Sequence, residues 1–215
     1  MKETMTIHKA LSELKVLNSR IANEIEDTVF LASNKHSSTK ISGKPISEFA
    51  ENVRDKYKSI RSLINRRNAI KRAVVNSNAV TKVKIAGKEY TVAEAIDMKS
   101  SGMGNFSMLL NRLTRQMQTV KSVIDRENGE RLETRADDYV KSLYGSSEMK
   151  NMADDIKKVR ETFVESQMLD LVDPIGAEKV MDELREYVDS FMSEVDSALS
   201  VSNALTTVEV EYDTL

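Results

Sequence analysis

Few side chains in this 215-residue chain are equipped for bond-making, and their spacing removes most of the chemistry they could support. His8 and His36 are the only imidazoles, and neither has an Asp or Glu at the helical offset that a His-Glu-x-x-His site requires. Asp137-Asp138 and Asp154-Asp155 are adjacent carboxylate pairs, but neighbours on a helix point about 100° apart, which suits a solvated face better than a grip on one ion. The chain has no cysteine, so disulfides, zinc–thiolate sites and cysteine nucleophiles are excluded. Gly102-Met103-Gly104 lacks both the phosphate-binding Lys and the preceding strand of a nucleotide loop, and reads as a kink in a helix. The expectation is a non-enzymatic protein with no cofactor and no metal.

One cluster has the chemistry of a binding site. Arg61, Arg66, Arg67, Lys71 and Arg72 fall on one predicted helix, and Lys82, Lys84 and Lys88 follow in a hairpin. Such a surface suits the phosphates of a nucleotide or nucleic acid. Only Tyr57 is interleaved with it, whereas tight single-strand binding uses several stacking platforms. A solvated or internally paired face and an anion-binding face therefore both stand. The eleven Met fall mostly on helical stripes, where a flexible apolar filler is the default.

Charge supplies a partner for this face. Net charge is −2, yet residues 1–130 hold 23 Lys and Arg against 14 Asp and Glu, while residues 131–215 hold 9 against 20. The halves attract each other, within one chain or between copies. Charged residues are 31% of the chain and aromatics 5%, with only two Pro and seven Gly, a composition suited to long amphipathic helices. No run of about 18 apolar residues appears, and the polar start has no signal-peptide core, so a soluble, unsecreted protein with no membrane contact is expected.

The elements that position these residues announce themselves through a repeated phrase. Lys40-Ile41-Ser42-Gly43-Lys44-Pro45 is echoed by Lys84-Ile85-Ala86-Gly87-Lys88-Glu89, each between long stretches of helical periodicity. Glycine supplies the positive φ that a two-residue hairpin needs. Ser47 and Thr91 stand where N-caps are wanted, and Thr91 with Glu94 has capping-box spacing. Pro45 lacks a ladder amide, so the first copy reads as an extended turn at an edge.

Apolar periodicity predicts helices over 7–31, 48–75, 92–127, 134–144, 147–162 and 177–200. The third is the most regular, with Ile96, Met103, Leu110, Met117 and Ile124 spaced by seven, a pattern of helix–helix packing in a coiled coil or bundle. Residues 32–45 read as a polar loop, and Asn76, Ser77 and Asn78 as the end of the second helix. Met168 to Val172, before Asp173-Pro174, reads as a strand, as does 206–212 with its alternating Val208, Val210 and Tyr212. These strands and the hairpin at 81–91 are candidates for one small antiparallel sheet. The fold class is mainly α with a small antiparallel β component, organised as a basic helical module with two hairpin turns over 1–130 and an acidic helical module with two short strands over 131–215.

Over about residues 6–126, the polar stop at Asn76-Ser77-Asn78, Thr81, the hairpin Gly87 and the capped start Thr91-Val92-Ala93-Glu94-Ala95-Ile96 resemble the small septicolysin-like helical family. The tail Ser202-Asn203-Ala204-Leu205-Thr206-Thr207-Val208-Glu209-Val210 resembles uncharacterised proteins encoded by phages of Gram-positive hosts. Neither resemblance implies catalytic residues. Together with the charge pattern they lead to the expectation of a phage-encoded interaction or structural protein, a homo-oligomer in the host cytoplasm or the virion. The alternative is a protein that captures a phosphate-bearing ligand, such as a nucleotide signal, on the basic helix and hairpin, and thereby counters host defence.

Overall fold

The computed structural model describes residues 1–145 and 154–213. The protein is mainly helical with a small antiparallel β component. Its strands are β1 (Lys2–Thr6), β2 (Lys40–Ile41), β3 (Lys44–Pro45), β4 (Lys82–Ile85), β5 (Lys88–Thr91) and β6 (Thr207–Glu211). The helices are α1 (Ile7–Glu26), α2 (Ile46–Val80), α3 (Val92–Asp97), α4 (Met103–Asn128), α5 (Glu130–Tyr144), α6 (Asp154–Gln167) and α7 (Ala177–Leu205), with a π-helical turn at Met98–Gly102 joining α3 to α4. Contacts group the chain into two compact units, Met1–Gly102 with Ser190–Leu215, and Met103–Asp189. That grouping and the charge boundary at 130 are drawn on different grounds.

In the first unit, α1 and α2 pack side by side and run antiparallel, as Glu24 meets Lys56 and Glu13 meets Arg66. Their seam buries Ala10, Leu14, Leu17, Ile70 and Val74, and the ribbon of β1 and β6 adds Met5, Val208, Val210 and Tyr212 to the same core. β1 is a strand that the sequence reading missed. Its residues are mostly polar, and only Met5 is buried; the strand exists because β6 supplies its ladder, from Lys2 opposite Glu211 to Thr6 opposite Thr207. Two segments some two hundred residues apart thus close on each other.

The repeated phrase makes two hairpins with the same turn. Ser42 and Gly43 in one, and Ala86 and Gly87 in the other, all have positive φ, as a two-residue type I′ turn requires. Pro45 does not prevent pairing, because its ring sits on the outer position of a two-residue ladder. The expectation of one sheet is overturned: the strands form three separate two-stranded ribbons. Residues 168–172 are not a strand; among the described residues they pair with none of the three ribbons.

Helix limits moved for local reasons. α1 stops at Glu26 rather than 31, where the Thr28 hydroxyl donates to the Glu24 carbonyl and the Asp27 amide to that of Asn23. α2 begins at Ile46 after a Pro45 cap, so Ser47 lies inside the helix and caps nothing. At its other end α2 runs through Asn76, Ser77 and Asn78 to Val80; Ser77 and Asn78 are half-buried, and tertiary packing outweighs their weak helix propensity. The Thr91–Glu94 capping box forms as expected. The helical path continues through Gly102 by the π turn, where a Cβ would come within 2.5 Å of the Met98 sulfur. This turn breaks the seven-residue phase: Ile96 is 44% exposed and Met103 3%.

In the second unit α5 and α6 pack together, burying Leu132, Ala136, Val140 and Ile156. α5 begins at Glu130 rather than 134, α6 ends at Gln167 rather than 162, and α7 reaches Leu205 rather than 200. Part of the helix expected over 147–162, with Met149 and Met152, lies outside the described residues.

Candidate functional site

The basic set does not form one uniform face. Arg66 is the most engaged of its members. Its Nε donates to Glu13 at 2.6 Å, one terminal nitrogen lies 2.9 Å from Glu3, another donates to the Tyr212 hydroxyl, and the guanidinium sits 5.1 Å from the Tyr212 ring centre. The Glu3 contact is ionic rather than a hydrogen bond, because no donor is aligned with that oxygen. The hydrogen bond to Glu13, followed by the charges of Glu13 and Glu3, raises the Arg66 pKa above its ordinary value despite the opposing effect of burial. Arg66 therefore ties α2 to β1, α1 and the end of β6.

The other seven divide by partner. Arg61 donates to the Tyr57 hydroxyl at 3.1 Å and covers its ring. Arg67 donates to Asn18 at 3.0 Å and to Asn68 at 3.2 Å. Lys82 pairs with Glu89 across the hairpin at 2.6 Å. Lys88 is exposed on β5. Lys71, Arg72 and Lys84 are exposed and have no hydrogen-bond or ion-pair partner among the described residues. An anion-binding face thus retains three unengaged cations.

The carboxylates are occupied in a similar way. In the second unit Arg160 joins α6 to α5, donating to Asp137 at 2.8 Å and to Glu133, and these bonds raise its pKa. Beside it Tyr139 and Phe163 stack at 4.5 Å. Asp138 pairs with Lys141 and Asp154 with Lys157, each within its own helix. His8 and His36 are both exposed. Among the described residues no group of three His, Cys, Asp or Glu is placed to hold a metal ion, and no helix is long and apolar enough to cross a membrane.

Opposite charges from the two halves of the sequence do meet within the chain. Lys2 pairs with Glu209, Lys99 with Asp196 and Lys121 with Glu178. All three pairs are solvent-exposed, where water and salt screen such contacts and they contribute little.

The site that sequence reasoning missed is a groove of about 560 Å³ in the second unit. Leu113, Met117 and Val120 of α4 form one wall, and Leu171, Val172 and Ile175 of the segment before α7 form the other. That segment is held at two points. The Asn128 side chain accepts from the Leu169 amide at 2.9 Å and donates to its carbonyl at 2.8 Å, while the Asp173 carboxylate caps α7 by accepting from the amides of Ile175 and Ala177. Its signal was present as the apolar run at 168–172, which is equally consistent with a strand and with a pinned loop.

No protein-family model matches the chain, and it matches neither a curated protein nor a solved structure. Function is read from geometry alone.

Proposed function

We propose that this chain is a non-enzymatic interaction protein that self-associates through helical faces. One observation carries the reading. α4 bears the most regular heptad pattern in the sequence, yet Met103 is its only buried residue. On that face Leu110, Leu113, Met117 and Ile124 are half-exposed and Val120 is exposed. An amphipathic helix is stabilised mainly by covering its apolar face, and this one has much of that face left to cover. A second copy is the simplest cover for a seven-residue repeat.

Lys71, Arg72 and Lys84 are what remains for the second reading, capture of a phosphate-bearing ligand. Self-association does not need them. The test is sedimentation velocity over a hundredfold range of concentration, at low and high salt. Assembly beyond one chain that strengthens with concentration is expected, and a monomer throughout would refute the proposal.

A further inference from the structure

The groove between α4 and the pinned segment has the makings of a self-complementary contact. Val172 stands at its lip 87% exposed, and Ile175 nearby is 56% exposed, so the wall that makes the hole also projects a knob. Arg112 and Arg115 line the same groove, both exposed, with no acidic partner among the described residues. Asp170, two residues before the knob, is likewise exposed and has no basic partner among them. Knob, hole and base thus line one groove, and the acid precedes its first lining residue, Leu171, along the pinned segment.

Building on the self-association reading, we infer that this patch is the interface with a second copy of the chain. Val172 of each copy enters the groove of the other, and Asp170 of each meets Arg112 and Arg115 of the other. A two-fold contact requires a surface that presents both members of every pairing, and this patch does so. A different partner would need only one member of each. Because Asn128 and Asp173 fix the segment on either side of Leu171 and Val172, little conformational freedom remains to be lost on docking. The half-exposed Leu113 and Met117 lie along the heptad face of α4, so the groove belongs to the surface that leaves α4 uncovered.

The full-length chain tests this by charge exchange. Arg112→Glu/Arg115→Glu alone sets acid against Asp170, and Asp170→Arg alone sets base against Arg112 and Arg115. Each variant should associate at least tenfold more weakly than wild type in sedimentation. Mixed one to one, they should recover association, because both cross-contacts are then attractive. Recovery also shows that each variant is folded. Val172→Asp should weaken association by a similar factor, with an unchanged circular dichroism spectrum. If wild type assembles and the charge variants assemble equally well, or their mixture fails to recover, this interface is wrong and self-association uses another face. If wild type is monomeric throughout, this inference and the proposed function fail together.

Discussion

Replacing Arg66 by Ala removes one cation from between two carboxylates. Side-chain exposures of 27% for Arg66, 31% for Glu3 and 21% for Glu13 place the cluster between a surface pair, worth about 0–1 kcal/mol, and a buried one, whose breakage costs about 3–5 kcal/mol. Two further contributions fix the scale. Glu3 and Glu13, both paired to Arg66, would be left facing each other with no cation between them, a repulsion on the order of 1–4 kcal/mol for like charges several ångströms apart near a protein surface. The lost contact with the Tyr212 ring adds about 0.5–1 kcal/mol. The expected loss is about 3 kcal/mol, which at a urea slope of about 2 kcal/mol/M moves the unfolding midpoint down by about 1.5 M. Adding Glu13→Gln to Arg66→Ala should return about half of that loss, because it removes the repulsion. Arg72→Ala is the control; exposed and without a hydrogen-bond or ion-pair partner among the described residues, it should change stability by at most about 0.5 kcal/mol. If Arg66→Ala costs no more than Arg72→Ala, the cluster is not a clamp and the reading of Arg66 as structural fails. The same logic makes Arg66→Glu unsuitable for testing ligand binding, since unfolding and lost binding would look alike.

Two further expectations concern the second hairpin and its helix. Ala86 holds φ 49°, a left-handed conformation that costs an L-residue about 1–2 kcal/mol and that Asn tolerates, so Ala86→Asn should raise the melting temperature by about 2–4 °C. Gly87→Ala should lower it, although a Cβ there meets nothing within 4 Å, because the cost is conformational; an unchanged melting temperature would contradict the turn assignment. Acidification probes the capping box. The Thr91 amide, and secondarily its hydroxyl, hold the Glu94 carboxyl below its ordinary value near 4.5, so its stabilisation is present above that pH and lost as pH falls through the folded value. Wild type should therefore exceed Glu94→Gln in melting temperature at pH 7, and the gap should close below about pH 4.5. A gap that does not narrow at all as pH falls below 4.5 removes the carboxylate from the explanation.

What the sequence revealed and what it concealed follow from the range of the forces involved. Both hairpins were legible because a type I′ turn is a two-residue event, and Gly43 and Gly87 mark it whatever surrounds them. The capping box was legible for the same reason, since Thr91 and Glu94 lie within one turn. β1 was not, because a strand with one buried side chain is defined by its partner, which lies some two hundred residues away. The basic face misled in a similar way. Lys and Arg spacing gave the composition of the α2 surface, but Glu3, Glu13, Asn18 and Tyr212, which engage Arg66 and Arg67, come from β1, α1 and the residue after β6. Residues 168–172 show the converse. Their apolar run was visible, but its fate depends on whether a strand edge lies beside it, and in the second unit Asn128 and Asp173 hold it as a loop instead. That difference bears on function. A strand would have used its backbone to pair, whereas a loop fixed at two points turns Leu171 and Val172 toward whatever comes next to α4.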